Sequence, residues 1–210
     1  MDYIYLHGFA SSPNSVKARY FRSAFAELAI DLKTPDLNAG DFYQLTITRQ
    51  IEQIKAEFPP FPTPVTLIGS SLGGLTAALL AEKSSQVQRL VLLAPAFEFL
   101  YHWLPQLGEA KLKQWQDERQ LMVYHYAERR FLPLSYNFAI DAANYQDSQL
   151  SRPVPTLILH GCDDEVIPIA ASRNYAFSRP WVELIELNSD HALADVMTNW
   201  QQIKSFIQIS

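Results

Sequence analysis

The sequence predicts an α/β protein, a mainly parallel sheet of about six strands with helices on both faces, and three observations carry the prediction. Apolar runs of strand length alternate with segments of helical spacing along most of the chain. The strand runs are mostly followed by a helix rather than by another strand, which is how parallel neighbours are joined. The 210 residues, 48% hydrophobic and 12% aromatic, suffice for one domain with a sizeable core.

Residues 3–6 read as a strand that ends at His7-Gly8. Residues 15–29 follow as a helix, with Val16, Ala18, Tyr20, Phe21, Ala24, Phe25 and Leu28 at helical spacing. A weaker strand over 30–34 stops at Pro35, and a second helix over 43–58 carries Leu45, Ile47, Ile51, Ile54 and Phe58 on one side. The proline-rich stretch 59–64 ends that helix. A third strand opens at Val65 and passes through Gly69-Ser70-Ser71-Leu72-Gly73 into a helical pattern over 75–81. Strands are expected at 87–94, stopped by Pro95, then at 156–161 and 182–187, with a closing helix over 192–207.

Between Pro95 and Pro153 the alternation breaks, over a stretch too long for a loop without structure of its own. A helix over 109–119, a hairpin pairing 121–126 with 130–136 around Ala127-Glu128-Arg129, and a short helix over 138–145 account for it. Residues 97–152 are therefore expected to form a small cap inserted over the sheet edge, within a single domain of residues 1–210. Its aromatic residues, among them Phe97, Phe99, Trp103, Trp115, Tyr124, Phe131 and Phe138, are expected mostly to build the cap's own core. A minority would face a substrate.

Charge and composition exclude several functions. The formal charge is −5 and no Lys/Arg cluster occurs, so a nucleic-acid partner is not expected. Cys162, the one cysteine, cannot form an internal disulfide. The opening residues have no basic or long apolar region of a secretory signal, and no apolar run approaches membrane-span length. The expectation is a cytoplasmic protein without a membrane span. Gly69 and Gly74 have P-loop spacing, but Leu75 stands where a lysine is required.

The chemistry-bearing feature is the Gly-x-Ser-x-Gly at Gly69, Ser71 and Gly73. A serine and glycine loop is the plain alternative, since five residues of this pattern arise by chance. A buried strand before it and a helix after it instead describe a nucleophile elbow, a turn so tight that only glycine fits two residues either side of Ser71. A serine hydroxyl needs a base within hydrogen-bond reach, and the base needs an acid to orient it. In a parallel sheet these come from later strand ends at the same edge. The fifth strand leads into Asp163-Asp164-Glu165, and the sixth into Asn188-Ser189-Asp190-His191, so Asp164 and His191 complete the order Ser, Asp, His. Val166-Ile167-Pro168 closes the loop behind Asp164, leaving Asp163 to bond loop amides and Asp190 to cap the last helix. His7 and His160 precede glycines at strand ends and are expected to brace turns, while His102 and His125 belong to the cap or face solvent. An oxyanion would rest on the Leu72 amide, at the start of the elbow helix, and on the Phe9 amide in the loop after the first strand.

Leu6-His7-Gly8-Phe9-Ala10-Ser11-Ser12-Pro13, Ile68-Gly69-Ser70-Ser71-Leu72-Gly73-Gly74, His160-Gly161 with Asp164, and His191 together resemble the α/β-hydrolase superfamily, and within it the small bacterial YqiA/YcfP-like serine esterases. The resemblance spans nearly the whole chain. It implies an α/β-hydrolase fold and a carboxylic ester hydrolase, with Ser71, Asp164 and His191 as triad and Phe9 and Leu72 as oxyanion donors. The chain would start at the third strand of the full superfamily sheet, without the leading antiparallel hairpin. The implied partner is a small-molecule acyl ester, and the chemistry needs no metal or organic cofactor. An acyl thioesterase with the same triad and a non-catalytic binding protein on a hydrolase scaffold are the rival readings.

Overall fold

The computed structural model describes residues 1–209, with Asp195 described by its backbone alone. The chain opens with β1 (Asp2–Leu6), α1 (Val16–Ala26), β2 (Leu32–Lys33) and α2 (Ile47–Ala56). Then come β3 (Val65–Ser70), α3 (Leu72–Lys83) and β4 (Val87–Leu93). The interval before the next sheet strand carries α4 (Phe99–Leu107), α5 (Glu109–Glu118), β5 (Gln120–His125), β6 (Arg130–Ser135) and α6 (Asn137–Ala142). The chain continues through β7 (Thr156–Gly161), α7 (Ile169–Phe177), β8 (Val182–Leu187) and α8 (Trp200–Ile207). A 3-10 helix, Ala194–Asn199, precedes α8.

Six strands form one sheet in the order β2-β1-β3-β4-β7-β8, and every pair in it is parallel. β5 and β6 make a separate antiparallel hairpin with Tyr124 opposite Phe131. Alternation along the strands sorts the core into two layers. Tyr3, Tyr5, Ile68, Val91 and Leu159 pack against Phe21 and Phe25 of α1 and Ile203 and Ile207 of α8. Ile4, Leu6, Leu67, Leu92 and Ile158 face the other way, onto Ile51 and Ile54 of α2, residues of α3, and Tyr175 of α7. Trp115 and Phe138, from the interval between β4 and β7, join this second layer fully buried.

The expected strands all form. Helix ends move inward where caps decide them: Ser15 Oγ accepts the Ala18 amide at the start of α1, and Thr46 Oγ1 accepts the Arg49 amide at the start of α2. One helical expectation needs correction, and two helices were not expected. The closing helix does not begin at residue 192, because Leu193 is buried in a left-handed conformation (φ 47°) and the following turn is 3-10. The sequence reading also omits α4 and α7. Apolar and aromatic side chains surround α4 and Pro105 lies within it, while α7 is only nine residues long, so periodicity marks neither clearly.

The sheet order reverses beside β1, whose neighbours are β2 and β3. At such a switch point the loops leaving adjacent strands diverge to opposite faces and open a crevice at the carboxyl edge. Here those loops are residues 7–15 and the turn at Ser71.

Candidate active site

Ser71 stands between β3 and α3 with φ 52° and ψ −118°, a conformation that non-glycine residues rarely adopt and that costs on the order of 1–3 kcal/mol. Backbone bonds hold it there. Its amide donates to the Leu93 carbonyl at 2.9 Å, and its carbonyl accepts the Gly74 amide at 2.8 Å and the Ala96 amide at 3.0 Å. A Cβ on Gly69 would lie 2.4 Å from the Gly73 carbonyl oxygen, and one on Gly73 would lie 2.3 Å from the Leu6 oxygen. Both glycines are thus required by close approach, as the motif predicts.

Asp164 and His191 reach Ser71 because two loops close on one another. Gly161, at the end of β7, sits so tightly under the loop after β8 that a Cβ there would come within 2.1 Å of the Ser189 carbonyl oxygen. The Cys162 amide donates to Leu187 at 2.8 Å and the Asp163 amide to Ser189 at 3.1 Å, zipping the loops together. His191 Nδ1 then lies 2.7 Å from Asp164 Oδ2, and Nε2 lies 3.0 Å from Ser71 Oγ. A carboxylate only accepts, so Nδ1 carries the proton and Nε2 turns its lone pair toward the hydroxyl. The Asp164 side chain has no exposed surface, and that of His191 is 24% exposed.

Asp164 is braced on both oxygens. Oδ1 accepts the Val166 amide at 2.9 Å and the Ile167 amide at 2.8 Å. These are the loop amides expected for Asp163, which is exposed instead. The turn that closes behind Asp164 folds back onto the carboxylate itself. Oδ2 also lies 3.1 Å from His160 Nε2. That nitrogen is 2.9 Å from the Ile167 carbonyl, so it is a donor, and Nδ1 accepts from Ser172 Oγ at 2.7 Å. Burial pushes the Asp164 carboxyl up, but hydrogen bonds from His160 and His191, the charge attraction of His191 and the Ile167 amide outweigh it and hold it well below the usual carboxylate range. His160 was expected to brace a turn, but its bond to Asp164 was not; its place four residues before that carboxylate is the only sequence signal.

The amides of Phe9 and Leu72 have no hydrogen-bond acceptor among the described residues. The Phe9 loop lies against the elbow at Gly8, where a Cβ would just touch the Ser70 carbonyl oxygen and Ser71 Cβ at 3.4 Å. Leu72 begins α3, where free amides and the helix dipole favour negative charge. His7 braces its turn as expected: Nε2 accepts the Leu37 amide at 2.9 Å, so Nδ1 donates to the Gly8 carbonyl at 2.9 Å. His125 is buried edge-on to Phe42 with Nδ1 accepting the Glu128 amide, a hairpin brace rather than a solvent-facing residue. Asp190 Oδ1 takes the Ala192 amide at 2.9 Å, capping the turn after His191 and not the last helix.

Ser71 and His191 open into a groove of about 910 Å³ walled by Phe99, Trp103, Leu107, Leu121, Val123, Tyr124, Tyr126 and Phe131. Five of the aromatic residues between β4 and β7 line it, more than the core-building role expected for them, because the β5–β6 hairpin leaves Tyr124, Tyr126 and Phe131 exposed. A separate cavity of about 730 Å³ beside Phe97, Asp147 and Tyr175 contains none of Ser71, Asp164 and His191. Among the described residues no group of three or more His, Cys, Asp or Glu side chains is placed to hold a metal ion, and no helix is long and apolar enough to cross a membrane.

A parallel six-stranded sheet with a strained serine turn after β3, and with aspartate and histidine supplied after β7 and β8, defines an α/β-hydrolase fold. Solved structures agree on the fold. Alpha/beta hydrolase domain-containing protein 10 from mouse superposes with a TM-score of 0.82 at 22% identity, over 99% of this chain and 89% of that one. Est1E from Butyrivibrio proteoclasticus, with ferulic acid bound, gives 0.80 at 20% identity over 98% and 87%. The alpha/beta hydrolase GrgF from a Penicillium species gives 0.74 at 15% identity over 99% and 89%. Residues 2–208 match the model of the Uncharacterised protein family (UPF0227), and the chain belongs to that family. No curated protein matches the sequence.

Proposed function

We propose that the protein is a serine hydrolase that cleaves carboxylic esters through an acyl-enzyme intermediate. The observation that carries this reading is the unbroken hydrogen-bonded line from Asp164 through His191 to Ser71, at 2.7 and 3.0 Å, on a strained turn that presents the hydroxyl to an open groove. His191 Nε2 takes the Ser71 proton as Oγ attacks the ester carbonyl. The oxyanion rests on the Phe9 and Leu72 amides, and His191 then protonates the leaving alcohol. Water, activated by the same imidazole, releases the acid. Asp164 holds the imidazole in the productive tautomer and stabilises its charged form. Residues 97–152 act as a cap on the single domain of residues 1–210, and its apolar wall suits the apolar part of a small-molecule ester. The lone, exposed Cys162 fits a reducing, cytoplasmic setting.

A panel of p-nitrophenyl esters of rising chain length, run with wild type and Ser71→Ala, tests the reading. The substitution is expected to lower kcat by about a millionfold, the scale on which removal of a triad nucleophile acts. Ester turnover that persists in Ser71→Ala rejects the site. A fluorophosphonate that fails to label Ser71 leaves only a binding protein on this scaffold.

A further inference from the structure

From the reach of α1 across the site we infer that Lys17 is a positioning residue, holding the loop that carries His191 in line with Ser71 by clamping the Ala192 carbonyl. This rests on the serine hydrolase reading. Lys17 is the second residue of α1, which starts directly after the loop bearing Phe9, and its Nζ donates to the Ala192 oxygen at 2.7 Å. One turn further along the same helix face, the Tyr20 hydroxyl donates to the Met197 carbonyl at 3.2 Å. Helix α1 thus grips the segment after β8 at two points 5 residues apart. The grip adds to two local holds on the backbone next to His191, the Ala192 amide on Asp190 Oδ1 and the buried side chain of Leu193, and it ties that backbone to α1. Ala192 is exposed, Leu193 is left-handed, and the turn beyond is 3-10. Asp164 orients the imidazole ring, and Lys17 restrains the backbone one residue beyond it.

The clamp is charge-assisted while the amine is protonated. Burial pulls the Lys17 pKa down to about 8, against the opposing attraction of Asp164 and Asp190, the carboxylates that face it from the loops after β7 and β8. Loss of the charge above about pH 8 weakens the bond to Ala192. The guanidinium of an arginine keeps its charge through that range.

The test compares wild type, Lys17→Met and Lys17→Arg by the pH dependence of kcat and by hydrogen exchange over residues 188–199. Lys17→Met is expected to lower kcat by about tenfold to a hundredfold with KM little changed, the scale of small misplacements of a reacting group. Exchange in the segment should quicken. Wild type should lose kcat as pH rises through about 8, and Lys17→Arg, which restores activity, should not. Lys17→Met with wild-type kcat, or Lys17→Arg with the same alkaline fall, overturns the inference while leaving Ser71-dependent turnover intact. Turnover that survives Ser71→Ala instead sinks the hydrolase reading, and the positioning role with it. Lys17→Arg keeps the question answerable should Lys17→Met fold poorly.

Discussion

Asp164 makes more contacts than its role beside His191 requires. Two backbone amides and two imidazoles converge on one buried carboxylate, so its geometry is fixed before a substrate arrives. Asp164→Asn keeps the shape but can present an amide N–H to Nδ1 and favour the wrong tautomer; kcat should fall about ten-thousandfold in the ester assay. The same carboxyl titrates below its unfolded value, so it stabilises the fold fully above the ordinary carboxylate pKa near 4. That contribution drains away as pH falls toward the folded value. Urea midpoints from pH 6 downward should therefore drop more steeply for wild type than for Asp164→Asn. Ser71, Asp164 and His191 were legible in the sequence because the glycine spacing, the strand ends and the chain order agree. Asp164 does lie beside His191, but the loop amides were assigned to its neighbour, since spacing does not reveal which of two adjacent carboxylates turns inward. Lys17 and His160 gave no such signal. The partners of Lys17 are a carbonyl and carboxylates far along the chain, and those of His160 a carbonyl, a hydroxyl and a carboxylate, of which only the carboxylate's place four residues on gives a hint.

Among the elements, the loops after β7 and β8 are joined where Gly161 leaves no room for a side chain. Gly161→Ala should push the Ser189 peptide away, carrying His191 out of reach of Ser71, and cost about 1–3 kcal/mol of stability. A loss of kcat larger than the change in unfolding midpoint accounts for, with far-ultraviolet circular dichroism unchanged, is the expected signature. Most sheet strands were readable because their apolar runs end at glycine or proline, β8 because its apolar residues stop at Asn188-Ser189-Asp190, and the β5–β6 hairpin because its turn is polar. The helices α4 and α7 were not, since one is mostly apolar with a proline inside it and the other is only nine residues long. The break after His191 was also hidden. A left-handed leucine has no compositional mark, and only the packing of Leu193 into the core explains it.

The whole molecule divides its labour between the faces of one sheet. Helices α1 and α8 close the first face, while the second carries α2, α3 and α7 together with the segment that walls the groove. The hairpin lends aromatic side chains to that groove without burying them, so Tyr124→Ala with Phe131→Ala should raise KM for the longer p-nitrophenyl esters more than for the acetate. Equal changes across the panel would mean that the acyl group lies elsewhere. The sheet is also open at both ends, with β2 at one margin and β8 at the other. A two-residue margin offers too short a template for a foreign strand to add to. At the opposite margin Glu183 and Glu186 are exposed, and Arg173 grips Glu186 with two hydrogen bonds at 2.7 and 2.6 Å. Both borders of an open parallel sheet invite a further strand, and the brevity of one and the charge on the other make each a poor seat for it.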